Sequence, residues 1–192
     1  MIYVPGEPKK DITLRIETVV IDDEAEDPII NELEKLLAAL DDDGAEPIIL
    51  KNALESDSVD KIELCTEATV ETNTNGHIEI AYMENEDDPQ IASLSKIIFS
   101  AEDMGLVSMT KKGAINAILS FEEGKTHICT YDTPFMPLKV YVTSSKVDNR
   151  LLNDGYMKLN YTLNINDTPP QHFIITVSIK DAPEDVFGQL LK

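Results

Sequence analysis

Basic residues are scarce in this chain. Only 16 lysines and arginines stand against 36 aspartates and glutamates in 192 residues, a formal net charge of −20. Sequence-independent nucleic-acid binding needs lysine and arginine against phosphates, so this balance excludes it in its usual form. Attraction to an anionic membrane surface is excluded on the same ground. Cysteine is nearly absent: Cys65 and Cys129 lie far apart and form no CxxC pair, so neither a disulfide framework nor a zinc knuckle is expected. With three histidines and two cysteines in all, no metal centre and no cofactor is indicated. No apolar run is long enough to cross a bilayer, and MIYVPGEPKKD lacks the apolar stretch of a signal peptide, so a cytoplasmic protein is expected. The GxSxG, HExxH, P-loop and Rossmann glycine patterns are missing too, and the expectation leans away from an enzyme.

What is present is alternation. In DKIELCTEATVET, Ile62, Leu64, Thr66, Ala68 and Val70 share one phase and Glu63, Cys65, Glu67 and Glu71 the other, as in a strand with one buried face. The same period runs through ITLRIETVVI, through Ile78–Ile80–Tyr82, and through SLSKIIFS, GLVSMT, AINAILSF, THICTY, LKVYVTSSKV, GYMKLNYTLNI and HFIITVSIK. Turn residues separate them: Asn75-Gly76, Lys112-Gly113, Glu123-Gly124-Lys125, Asn153-Asp154-Gly155 and the run from Asn166 to Pro170. About ten strands joined by short hairpins predict an antiparallel barrel, which leaves no open sheet edges.

Two segments depart from this period. Between Asp22 and Glu46 lie eleven carboxylates and one lysine, Lys35, so this stretch holds half of the net charge. Within it Ile29, Ile30, Leu33, Leu36, Leu37 and Leu40 recur at helical spacing, with Asp27 as N-cap and Pro28 in the first turn. An acidic helical insertion at 22–58, between the first two strands, is therefore expected. Its apolar stripe is expected to pack on a barrel mouth or an outer sheet face, and its charge suits a basic protein partner. The tail, 183–192, carries Val186, Phe187, Leu190 and Leu191 and predicts a short amphipathic helix.

The order of four motifs is specific. The segments Gly113-Ala-Ile-Asn, Phe121-Glu-Glu-Gly-Lys-Thr-His, Tyr131-Asp-Thr-Pro and Gly155-Tyr-Met-Lys-Leu-Asn-Tyr together resemble the YwiB-like family of small bacterial proteins, over about residues 59 to 180. The resemblance implies an all-β, calycin- or lipocalin-like barrel in one domain over 1–192, with minor helix and no established activity. The chain departs from the family pattern at Phe135-Met136-Pro137, where a glycine usually follows the Thr-Pro pair, and in its acidic insertion.

The densest chemistry lies at His127, Cys129, Tyr131, Asp132 and Thr133. On a strand, His127, Cys129 and Tyr131 share one face at roughly 6.5–7 Å spacing, which is poor geometry for a Cys–His nucleophile. A zinc site would need His77 or His172 as well. The better reading is the end of a strand and a turn, with Asp132 and Thr133 bonding the turn backbone. The candidate ligand-contacting residues are His127, Tyr131, Tyr82, Tyr161 and Arg150, with no catalytic residue among them. Arg15 and Arg150 are the only arginines, with structural pairing as the simplest role for both. Leu64, Ile80, Tyr82, Met157, Leu159, Tyr161, Leu163 and Ile175 are expected to point inward. Two functions follow: a barrel holding a small apolar or amphipathic ligand, or a filled barrel that recruits a basic partner through its insertion. Neither reading fixes the oligomeric state.

Overall fold

The computed structural model describes residues 10–22, 59–73, 75–113, 115–133, 136–165, 169–181, 183–188 and 190. The acidic helix expected within 22–58 and the packing of its leucines lie outside these residues, as does Leu191.

Ten strands follow in order: β1 (Lys10–Asp22), β2 (Val59–Thr72), β3 (His77–Glu84), β4 (Ser93–Ser100), β5 (Leu106–Gly113), β6 (Asn116–Glu122), β7 (Thr126–Asp132), β8 (Pro137–Arg150), β9 (Tyr156–Ile165) and β10 (Gln171–Ile179). Each pairs antiparallel with its sequence neighbours, and β1 pairs with β10 to close the barrel. Among the described residues two short helices accompany them, α1 (Leu151–Asp154) and α2 (Pro183–Phe187). Among the described residues no helix is long and apolar enough to cross a membrane.

The alternation read in the sequence decides which side chains enter the core. In β4 Ser93, Ser95, Ile97 and Phe99 are buried, while the residues between them are partly or fully exposed. β-Branched residues such as Ile175 and Val177 suit this half-buried pleat. Side chains from all ten strands, with Leu151 of α1 and Val186 and Phe187 of α2, form one contiguous cluster. All eight residues expected to point inward belong to it or pack against it.

The two helices close one end of the barrel. Gly155, in the left-handed region at φ +67°, ends α1 and lies 3.3 Å (from an added Cβ) from Pro183 of α2. Its carbonyl accepts the Ile179 N–H at 2.8 Å. α2 stops at Phe187, before Gly188, so the tail helix is shorter than its apolar pattern suggests. Asn85–Ala92, the ends of β1, β5 and β7 and the starts of β2, β6 and β8 lie at the other end, the mouth.

Two local findings amend the sequence reading. Lys112 and Gly113 are the last residues of β5, and the turn falls after them. A Cβ on Gly113 would sit 2.4 Å from the Ala92 carbonyl oxygen and 2.9 Å from the Ser93 Cα, so the glycine permits close strand approach rather than a turn. In β8 a bulge between Ser144 and Lys146 shifts the register against β9. Val140, Val142 and Ser144 are buried before it, and Asn149 after it, so the inward phase changes from even to odd numbers.

Candidate functional site

The register aligns one inward-facing level across six strands near the mouth. It runs Tyr82 of β3, Ser95 of β4, Lys111 of β5, Ala117 of β6, Tyr131 of β7 and Leu138 of β8, each opposite the next. Glu84 and Ser93 form the next pair toward the mouth. These side chains are inward because they share the phase of Ile78 and Ile80 in β3, Ile97 and Phe99 in β4, and Val107 in β5, all of which are buried.

This level is polar, and its members are joined. The Ser95 hydroxyl donates to Glu84 Oε1 at 2.5 Å. Lys111 Nζ donates to Glu84 Oε2 at 2.6 Å, with both side chains partly exposed. Tyr82 lies opposite Ser95, and burial pushes its phenol well above the ordinary value, with the Glu84 charge adding to the shift. Tyr82 is therefore a neutral hydroxyl at physiological pH, and Glu84 and Lys111 form an ion pair between it and solvent. Below this level lie Ile80, Ile97 and Phe99, all fully buried or nearly so. The arrangement is a polar collar on an apolar floor. It can orient a polar group and shelter an apolar one.

On the outer face of the same strands runs a cleft of about 380 Å³. Thr110, Lys112, Asn116, Ile118, Thr130 and Asp132 line it, together with parts of Lys111 and Ala117. Lys111 thus belongs both to the inward collar and to the wall of this cleft.

Tyr82 and Tyr131, two of the residues singled out from sequence, lie on the collar level. Tyr161 lies deeper, edge-on to Phe121 with centroids 4.8 Å apart and stacked on Phe173 at 5.1 Å. Burial raises its phenol well above the ordinary value. His127 also lies deeper, partly buried, with Nε2 3.6 Å from Glu122 Oε2. That Nε2 and the Ser144 hydroxyl are both buried without a hydrogen-bond partner among the described residues. Arg150 stands apart. It is exposed at the helix-closed end, 3.1 Å from Asp148 and 3.5 Å from Asp154, with its guanidinium 5.4 Å from the Tyr156 ring. Arg15 is paired likewise, with Glu17 and Glu63.

The motif chemistry resolves into architecture. The Cys129 sulfur is 3.9 Å from the His127 carbonyl oxygen, a backbone contact rather than a thiol–imidazole pair. His77 is exposed, and the His172 ring pairs with Thr162 at 3.2 Å. Among the described residues no group of three or more His, Cys, Asp or Glu could hold a metal ion. Thr133 Oγ1 donates to the Met136 carbonyl at 2.8 Å and accepts the Met136 N–H at 3.1 Å, linking the chain after β7 to the chain before β8. In the Phe-Glu-Glu-Gly-Lys segment, Lys125 pairs with Glu122 and holds its carboxyl below the usual range. Gly124 turns at φ +73° and donates its N–H to the Ser144 carbonyl at 2.9 Å.

Glu84, Ser95 and Lys111 were not singled out from sequence. Their signal was present: each is a polar residue on the buried phase of an alternating strand, where a leucine or valine would be expected.

A structure of the ywiB protein from Bacillus subtilis is similar, with a TM-score of 0.54 and 16% identity, covering 90% of this chain and 94% of that one. At that identity the likeness concerns the fold, a YwiB-like barrel. No curated protein matches the chain. The family model described as Domain of unknown function (DUF1934) matches residues 48–177, well over half of the sequence, and takes in all four motifs. The chain belongs to that family.

Proposed function

We propose that this protein is a calycin-like binding barrel, one cytoplasmic domain over 1–192, that holds a small amphipathic ligand at its mouth. The observation carrying this reading is the inward-facing collar of Tyr82, Ser95, Glu84 and Lys111 above a fully packed apolar floor. Polar side chains on a buried phase are costly unless they serve each other or a guest, and a mouth gives a guest access. The ligand's polar end meets Tyr82 and the Glu84–Lys111 pair, and its apolar part lies toward Tyr131 and Leu138. His127 and Tyr161 are secondary contacts for a ligand that reaches deeper, next to the unpartnered Ser144 hydroxyl. Arg150 stands at the opposite, helix-closed end, paired with Asp148 and Asp154, and is given a structural role here. No residue is assigned a catalytic role.

Native mass spectrometry of the protein from its own cells tests this reading. A reproducible extra mass, lost on denaturation and absent from the Glu84→Ala/Lys111→Ala variant, is expected. Retention of that mass by the variant would place the ligand elsewhere.

A second reading rests on the packed interior. Phe99, Phe121, Leu14, Ile78, Ile80, Met157 and Leu159 are all buried to 2% exposure or less. A filled barrel of this kind works through its surface, and the acidic segment 23–58 joins the barrel at the mouth, between Asp22 and Val59. On this reading the acidic segment recruits a basic protein.

A further inference from the structure

Among the described residues, β3 does not pair with the whole length of β2. On one side β2 pairs with β1 from Val59 to Val70. On the other it pairs with β3 only from Ala68 to Thr72. Val59–Glu67, nine residues and about 30 Å of strand, therefore has a strand neighbour on one side only among the described residues. Such an edge presents a row of backbone donors and acceptors to any extended chain.

Its side chains say what kind of chain fits. On the inward phase Ile62 is 60% exposed and Leu64 is partly buried. On the outward phase Glu63 and Glu67 are exposed, Glu63 being paired with Arg15 at 2.9 Å, and Asp60 is exposed at the start of the strand. Lys61 is already paired with Glu17 at 3.3 Å. Where β3 ends at Glu84 and leaves the edge uncovered, the chain continues into the exposed carboxylates Glu86, Asp87 and Asp88. Among the described residues this edge thus presents Ile62 and Leu64 on one phase and Glu67 on the other, with an acidic loop at its end.

We infer that Val59–Glu67 is a docking edge for an extended segment of a basic protein, bound by strand addition. Main-chain hydrogen bonds supply the affinity. Alternate apolar side chains of the guest cover Ile62 and Leu64, and the lysines or arginines between them face Glu67 and the carboxylates of Glu86, Asp87 and Asp88. The inference stands apart from the small-ligand reading, because the edge lies outside the Tyr82–Lys111 level. A second copy of this chain is disfavoured as the occupant, since both copies would carry −20.

The test is amide hydrogen exchange on the full chain, with a nine-residue capped peptide alternating lysine and valine as probe and its glutamate–valine counterpart as control. The amides of Val59–Glu67 that face away from β1 are expected to exchange rapidly in the protein alone. They should slow at least about tenfold with the lysine peptide and not with the glutamate peptide. Glu63→Lys/Glu67→Lys and, separately, Ile62→Asp should abolish the slowing while leaving the β3–β4 amides protected. Four results would overturn the inference. These amides could be protected in the isolated protein at low concentration, which would mean the chain covers its own edge. Protection could grow with protein concentration alone, which would mean self-pairing. The two peptides could protect equally. The lysine peptide could bind without slowing these amides.

Discussion

Glu123 accepts the Val147 backbone N–H through Oε2 at 3.2 Å, across 24 positions of sequence. Val147 follows the β8 bulge, where the register against β9 shifts and a backbone donor would otherwise go unpaired. The β6–β7 turn thus pins the bulge from both sides, by Glu123 to Val147 and by Gly124 and Lys125 to Ser144. This accounts for the Phe-Glu-Glu-Gly-Lys segment as a structural device. Glu123→Ala is expected to cost about 0.5–1.5 kcal/mol. Gly124→Ala, forced to φ +73°, is expected to cost about 1–2 kcal/mol. Urea unfolding of both variants measures this, with the midpoint shifted and the slope unchanged.

Gly113→Ala is expected to be worse than its sequence context suggests. The added Cβ meets backbone, 2.4 Å from the Ala92 oxygen, and backbone cannot rotate away. A loss of about 1–3 kcal/mol is expected. Gly105→Ala is the control: its Cβ would meet only an Asp103 side-chain oxygen, at 3.4 Å, and should be close to neutral. Thermal unfolding of the two variants side by side separates them.

The strands were legible because burial follows alternation wherever a sheet has one wet face. All ten correspond to segments such as SLSKIIFS and HFIITVSIK, in which one phase is the more deeply buried, through Ile97 and Phe99 in the first and Ile175, Val177 and Ile179 in the second. The β8 bulge was not legible as a strand feature, although the phase change from Val142 to Val147 records it. The collar escaped notice for a different reason. Glu84, Ser95 and Lys111 come from three strands and gain meaning only when the register sets them on adjoining levels. His127, Cys129 and Tyr131 drew attention as neighbours in sequence, yet the turn of the strand along the barrel carries His127 away from the collar level that Tyr131 joins.

Acid should weaken the outer face of β3 and β4. Lys96 Nζ lies 2.7 Å from Glu79 Oε2, and Asn73 Nδ2 donates to Glu79 Oε1 at 2.9 Å. The Lys96 hydrogen bond holds the Glu79 carboxyl below the usual range. Since the folded value lies below the unfolded one of about 4.3, this contribution is complete above that pH and is lost as the pH falls through the folded value. Glu79→Gln should therefore lower stability at neutral pH and make the acid limb less steep below about pH 5. Unfolding midpoints of wild type and variant between pH 7 and pH 2 test this.

Removing residues 24–56 should leave a folded barrel, because β1 and β2 pair through Ile21 and Val59 at the point where the segment departs. Circular dichroism and a cooperative melt close to that of the full chain are the expected outcome. On the second reading, the same deletion abolishes capture of a basic partner.

The collar as a binding site is tested most directly by backbone-amide NMR of the labelled protein, titrated with a small panel of amphipathic compounds. Binding at the mouth predicts shifts concentrated on Tyr82, Ser95, Lys111 and Tyr131 for at least one compound, lost in Glu84→Ala/Lys111→Ala. Shifts centred instead on Phe121, Tyr161 and Phe173, or unchanged in that variant, would contradict it.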